Sequence, residues 1–390
     1  MLNMPFRRRV PLLNMSLTEE EDDCASRWLA TPDSSMEPVS RLHTHISHMW
    51  NTPWVASFMG GRASLYAVIR TLGLKAGDQI VIPAFTCQCV ANAITFNGVE
   101  IVFADIEADT YGMSAQALQQ VLTPRTRAIM IQYTFGLVCR DIDSLLAIAR
   151  QHKLWVIEDC AHATGGKWRG KRLGTLGDIA FFSSERSKVV NTIHGGWAIT
   201  AHPELGKRLM AIHAQSPAPD ADFIRRLLMT LRHAFATRQG AVHPIADYWL
   251  PQMQPAELSG LFTPQYAWKM AEPVAELLIM QLCRLDSILL KRRQGAMFWQ
   301  QWAQEQGFRL PRVHPDAENT WLRLPIWLKE PKEKVAAHLE QTLNIETGVW
   351  FTTPIHPQPC ELAHCPTGML ATKQCLNLPT WLWDEAEFEQ

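Results

Sequence analysis

Between Trp54 and Thr200 short apolar runs alternate with helical patterns, and this alternation restricts the fold more than any other feature of the chain. The runs are Gln79–Pro83, Ile101–Asp105, Ala128–Gln132, Trp155–Asp159, Ile179–Ser183 and Gly196–Thr200. Helical periodicity covers Arg62–Leu72, Cys87–Phe96, Ala115–Val121 and Ile142–His152, between the earlier runs. Repeated strand–helix–strand units predict an α/β fold with a mostly parallel central sheet and helices on both faces. Ligands of such sheets sit at the carboxyl ends of the strands. Asp159 and Ser183 fall at two of those ends.

The rest of the chain has a different rhythm. The acidic run Glu19–Asp23 opens a helix. Residues 203–262 form an insertion containing a basic amphipathic helix over Phe223–Phe235. An apolar helix is expected over Val274–Leu290. Beyond Gln300 the pattern predicts a small α+β domain, with strands near Trp321–Trp327 and Val349–Thr353 and a helix at Lys332–Leu343. The expected division is an N-terminal segment at 1–50, a large domain at 51–290 and a small C-terminal domain at 291–390.

Charge excludes some partners. Lys and Arg number 37 against 38 acids, a net charge of -1, so no global field favours nucleic acid. No apolar run is long enough for a membrane span, and Arg7, Arg8 and Arg9 are not followed by the apolar stretch of a signal peptide. The nine cysteines are odd in number, scattered and without paired metal knuckles, which predicts reduced thiols in a cytoplasmic protein and no metal. The basic helix could lie on a membrane surface, but packing or substrate gating explains it more simply.

The chemistry concentrates between Trp155 and Gly196. An acid at a strand end, Asp159, precedes a single lysine, Lys188, just past the next strand end. Pyridoxal phosphate enzymes need this pair: the acid holds the protonated ring nitrogen, and the lysine amine condenses with the aldehyde. Taken alone, Asp159 reads equally well as a helix cap, and an isolated lysine as a surface residue. His162, three residues beyond Asp159, can face the cofactor ring or its phenolic oxygen; otherwise it is a core histidine. Gly60 and Gly61, before Arg62, Ala63 and Ser64, open a helix whose N-terminus suits a phosphate, and Ser183 can add a hydroxyl. Cys87, after Phe85 and Thr86, could pack on the ring; Tyr133 and Phe135 line the cleft or the core.

Together these residues resemble the DegT/StrS-type sugar aminotransferases, within fold type I of the pyridoxal phosphate enzymes. GGRASL, LKAGDQIVIPAFT, VEIVFADIEADTYG, TPRTRAI, VIEDCAHA, GKRLGTLGDIAFFS, the Ser187-Lys188 pair and GGWAIT occur in that family's order. The resemblance implies pyridoxal 5'-phosphate as cofactor and a homodimer with the cofactor near the subunit boundary. It implies Lys188 as catalytic lysine and proton carrier, and Asp159 on the ring nitrogen. His162 stands in the place of a glutamine, Cys87 faces the ring, and Gly61, Arg62, Ala63 and Ser183 lie near the phosphate. The implied reaction moves an amino group from glutamate or glutamine to a keto sugar, attached to a nucleotide, for polysaccharide or glycoside assembly. The chain departs from the family at Arg62 (for threonine), at Cys87 (for an aromatic) and in Tyr266-Ala267-Trp268-Lys269, where Ala267 replaces the asparagine that reaches the partner's phosphate. Two other readings stay open. Dehydratases of the same family carry histidine in place of the lysine, and a non-catalytic scaffold would need neither Lys188 nor Asp159.

Overall fold

A computed structural model describes residues 6–13, 16–31, 37–238 and 253–382. Its centre is a seven-stranded sheet: β1 (Trp54–Phe58), β2 (Gln79–Pro83), β3 (Glu100–Ala104), β4 (Thr126–Gln132), β5 (Trp155–Asp159), β6 (Ile179–Ser183) and β7 (Gly196–Thr200). The strand order is β1-β7-β6-β5-β4-β2-β3. All pairings from β6 to β3 are parallel, while β7 runs antiparallel to both β6 and β1. The crossover helices Gly61–Leu72, Gln88–Thr95 and Ile142–His152 pack on the sheet, so the central strands are apolar throughout rather than alternating. β2, β6 and β7 are buried along their whole length.

Register brings the chemistry together. Asp159 lies opposite Gln132 on one side and Phe181 on the other, so the ends of β4, β5 and β6 form one edge. Neighbouring residues of a strand face opposite ways. Asp159 faces a cavity at that edge, while Glu158 points to the other side. There its buried carboxylate accepts from the Tyr133 hydroxyl at 2.6 Å and from the N–H groups of Gly174, Leu176 and Gly177 at 2.8, 2.7 and 2.7 Å. This one side chain fastens the loop that leads into β6.

A smaller two-stranded sheet joins β8 (Arg323–Trp327) to β9 (Cys375–Pro379), antiparallel. Helices Leu285–Glu305 and Lys332–Leu343 cover it, and Trp299, Trp302, Leu324, Ile326 and Leu376 form their own apolar cluster.

Several elements differ from the sequence expectation. β1 and β9 have too weak a pattern to stand out, since WVASF and CLNLP mix small and polar residues into short runs. The expected helix over Val274–Leu290 is two helices, Glu272–Cys283 and Leu285–Glu305. They part at Arg284, whose backbone leaves the helical region at φ -102°, ψ 10°, and whose guanidinium reaches the Ser16 carbonyl at 3.2 Å and pairs with Glu21. An apolar pattern continues through such a bend because both helices bury a face. The strand expected near Val349–Thr353 does not form. Gly348 bridges to Asn377, and Trp350 and Phe351 turn into the cavity instead. The basic helix spans Ala221–Arg238 and spends its apolar face on packing: Phe223, Leu227, Leu228 and Leu231 are buried. Arg232 pairs with Asp22 at 3.0 Å, and Arg225 and Arg226 pair with Asp222. No described helix is long and apolar enough to cross a membrane.

Candidate active site

A cavity of about 180 Å³ opens at the carboxyl ends of β4, β5 and β6. Lys188, Asp159, His162, Ser183, Gly61, Arg62 and Cys87 all line it, with Tyr133. Of the expected site residues only Ala63 is not on its wall; it is buried one residue behind Arg62. Phe85 and Phe135 belong to an aromatic core cluster with Tyr111 and Phe351 rather than to the wall.

Lys188 Nζ stands 3.0 Å from His162 Nε2. The tautomer of His162 follows from its other nitrogen, Nδ1, which accepts the Phe135 N–H at 3.2 Å. Burial, then the charges of Lys188 and Arg323, hold this imidazole well below its ordinary pKa. A neutral ring with Nδ1 accepting carries its proton on Nε2. The ring therefore presents its Nε2–H to Lys188 Nζ, the amine placed to condense with an aldehyde. The indole of Trp350 closes this end, stacked on His162 at 5.8 Å between centroids and 5.2 Å from Lys188 Nζ.

Asp159 is 5% exposed. Its Oδ1 accepts the Ala161 N–H at 3.0 Å, and Oδ2 takes no hydrogen bond from the described residues. Burial pushes this carboxyl up to about 6, against the opposing effects of the Ala161 N–H and the Lys188 charge. A folded pKa above the unfolded value near 4 gives stability that is complete below pH 4 and fades as pH rises through 6. We expect cofactor-free protein to lose about 2 kcal/mol between pH 4 and pH 7 through this group. Urea denaturation of cofactor-free wild type and Asp159→Asn at both pH values measures it, and identical pH slopes would contradict it.

The opposite end of the cavity is a helix N-terminus. The first backbone bond of helix 61–72 is Ser64 N–H to Gly60 O at 3.0 Å, so the N–H groups of Gly61, Arg62 and Ala63 lack helical acceptors. Gly60 has φ 147°, a region that excludes most side chains. A Cβ at Gly61 would sit 2.8 Å from Ser183 Cβ, so only glycine allows the turn to lie against β6. Arg62 is on the wall, but its guanidinium is held by Glu257, with Nη1 2.7 Å from Oε2. Glu257 is fully buried and also accepts from Tyr266 Oη at 2.7 Å. Arg62 thus offers a backbone N–H and a largely neutralised charge, not a free cation.

Sequence reasoning missed Glu257, His194, Gln132, Cys89 and Trp350. Only Cys89, two residues from Cys87, carried a local signal. The others are placed by the fold: Glu257 meets Arg62 across 195 residues.

A family model matches residues 26–383, that of the DegT/DnrJ/EryC1/StrS aminotransferases. The chain belongs to that family. It is an aminotransferase of fold type I. Among curated relatives, GDP-perosamine synthase of Caulobacter vibrioides is 29% identical over 82% of this chain and 78% of its own. L-glutamine:2-deoxy-scyllo-inosose aminotransferase of Streptomyces kanamyceticus is 38% identical over a shorter stretch, 40% of this chain and 36% of its own. The aminotransferase from Psychrobacter cryohalolentis has the same fold, with a TM-score of 0.76 over 96% of this chain and 95% of that one at 20% identity. The family uses pyridoxal phosphate, and the cavity fits it: an acceptor oxygen on Asp159 for a ring nitrogen, a nucleophilic amine, and a helix N-terminus for phosphate, with a glycine-only turn beside Ser183.

Proposed function

We propose that this aminotransferase uses pyridoxal 5'-phosphate to move an amino group from L-glutamate or L-glutamine to a nucleotide-linked keto sugar, as a homodimer in the cytoplasm. The observation that carries the reading is the Lys188 amine, poised by His162 in the same cavity as the Asp159 carboxylate. The names of the relatives, a GDP-perosamine synthase and a glutamine-dependent inosose aminotransferase, support a sugar-like amino acceptor.

When bound, the cofactor supplies an electrophilic aldehyde and a ring that withdraws electrons. Asp159 Oδ2 would accept a hydrogen bond from the ring N–H and so keep that nitrogen protonated. The N–H groups of Gly61, Arg62 and Ala63 and the Ser183 hydroxyl would hold the phosphate. His162 keeps its N–H on the Lys188 side. Lys188 Nζ takes the proton from the donor's α-carbon and returns it to the neighbouring carbon, general-base and general-acid work by one amine. Trp350 shields that amine from water.

The lysine weighs against the dehydratase reading, in which histidine stands at this position. The intact pair of Lys188 and Asp159 weighs against a scaffold. Mixing cofactor-loaded protein with L-glutamate or L-glutamine separates these readings. We expect loss of the lysine-bound cofactor's visible absorbance and release of the matching 2-oxo acid. No spectral change with either donor would overturn the reading.

A further inference from the structure

The cavity wall holds two thiols that amine transfer does not use. Cys89 Sγ donates to Cys87 Sγ across 3.2 Å, and both side chains line the cavity, half-buried. Cys87 is the residue just before helix 88–95 and Cys89 is in its first turn. The Gly61–Arg62 turn and Lys188 lie on the same wall.

We propose that Cys87 and Cys89 form a peroxide-sensitive dithiol–disulfide pair in the wall of the cofactor cavity, with Cys87 as the attacking thiol and Cys89 as the resolving one. The assignment of roles follows from their surroundings. The Cys89 thiol hydrogen bond lowers the pKa of Cys87 despite its burial, with help from the charges of Lys188 and Arg62. Cys89, the donor, is pushed well up, first by that same hydrogen bond and then by burial. For Cys24, Cys139, Cys160, Cys365 and Cys375 burial is the main cause that raises the thiol. Among the described residues no other two cysteines share a hydrogen bond.

The chemistry balances with a hydroperoxide as the oxidant. The Cys87 thiolate attacks one peroxide oxygen; the O–O bond breaks, an S–O bond forms, and hydroxide leaves. Sulfur loses two electrons and the peroxide gains them. Cys89 then attacks Cys87 sulfur; an S–S bond forms, the S–O bond breaks, and the Cys89 proton leaves with that oxygen as water. A dithiol reductant reverses the change. Closing the pair replaces the Cys87 thiol, which shares the cavity wall with Lys188 and the Gly61–Arg62 turn, with a disulfide that cannot ionise, so oxidation alters the cavity itself. The proposal is independent of which sugar the enzyme aminates.

Peptide mapping of the full-length, cofactor-loaded protein tests it. The protein is treated with equimolar hydrogen peroxide, quenched with catalase, alkylated in denaturant and cut with trypsin. Lys75 and Arg125 bound one peptide that holds both cysteines. We expect that peptide to be lighter by two hydrogens and unalkylated, and to return to the doubly alkylated form after dithiothreitol. In Cys89→Ser the light peptide is absent, and dimedone traps Cys87. A peptide that stays doubly alkylated while Cys283 or Cys360 oxidises would overturn the proposal. So would direct conversion of wild-type Cys87 to an acid that dithiothreitol does not reverse.

Discussion

Lys188→Ala abolishes amine transfer and the visible absorbance of the loaded protein while leaving the chain folded. The lysine does two jobs at one atom. It anchors the cofactor, and it carries a proton between two carbons, a role that alone accounts for about 10²–10⁴ in rate. Neither can pass to a neighbour. His162 Nδ1 is occupied by the Phe135 N–H, and the imidazole stays neutral in its buried position. Arg323 is the next cation on that side, with its guanidinium carbon 5.9 Å from the Trp350 ring, and it offers no nucleophile. The fold survives because Lys188 lies in a loop after β6, outside any helix or strand. Stopped-flow absorbance with L-glutamate should therefore show no half-reaction, against an unchanged far-ultraviolet spectrum. Lys188→Arg keeps the charge and should fail equally; a partly active arginine variant would mean that charge, not the amine, is what matters.

Glu158→Leu should instead cost the fold. The carboxylate is fully buried and takes four hydrogen bonds, one from Tyr133 and three from the 174–177 loop. Leucine fills much of the space and accepts nothing. Each buried donor left without a partner costs about 1–3 kcal/mol, so the loss is roughly 4–6 kcal/mol after relaxation, close to the whole stability of a small domain. The apparent melting temperature should fall by about 10 °C. Glu158→Gln keeps one acceptor oxygen and should fall between the two. The two adjacent acids thus divide their work: removing Asp159 harms chemistry first, and removing Glu158 harms the platform beneath it. Equal melting temperatures for wild type and Glu158→Leu would show that water enters and satisfies the loop.

How much of this could be read from sequence depends on whether the signal was local. β5, β6 and β7 were legible with their bounds, because buried central strands are short, continuous apolar runs. The positions of Asp159 and Ser183 at the cavity edge were legible because they end such runs, and that of Lys188 because it lies just beyond one. β1 was not, since Ala56 and Ser57 interrupt it and its place is set by antiparallel pairing with β7, far along the chain. Arg62 was located but its state was not: the buried Glu257 that neutralises it lies in a segment with no strand or helix rhythm pointing there. Trp350 was read as part of a strand, although the Gly348–Asn377 bridge leaves it in a loop over Lys188. Local patterns specify elements; contacts between distant segments specify the charge and closure of the cavity.

The central claim is that Lys188 is the residue joined to the cofactor, and trapping that linkage tests it most directly. Cofactor-loaded protein reduced with borohydride, then digested and mapped by mass spectrometry, should carry a phosphopyridoxyl group on Lys188 and on no other lysine. An unmodified Lys188 peptide from fully loaded protein, or the group on a different lysine, would contradict the account.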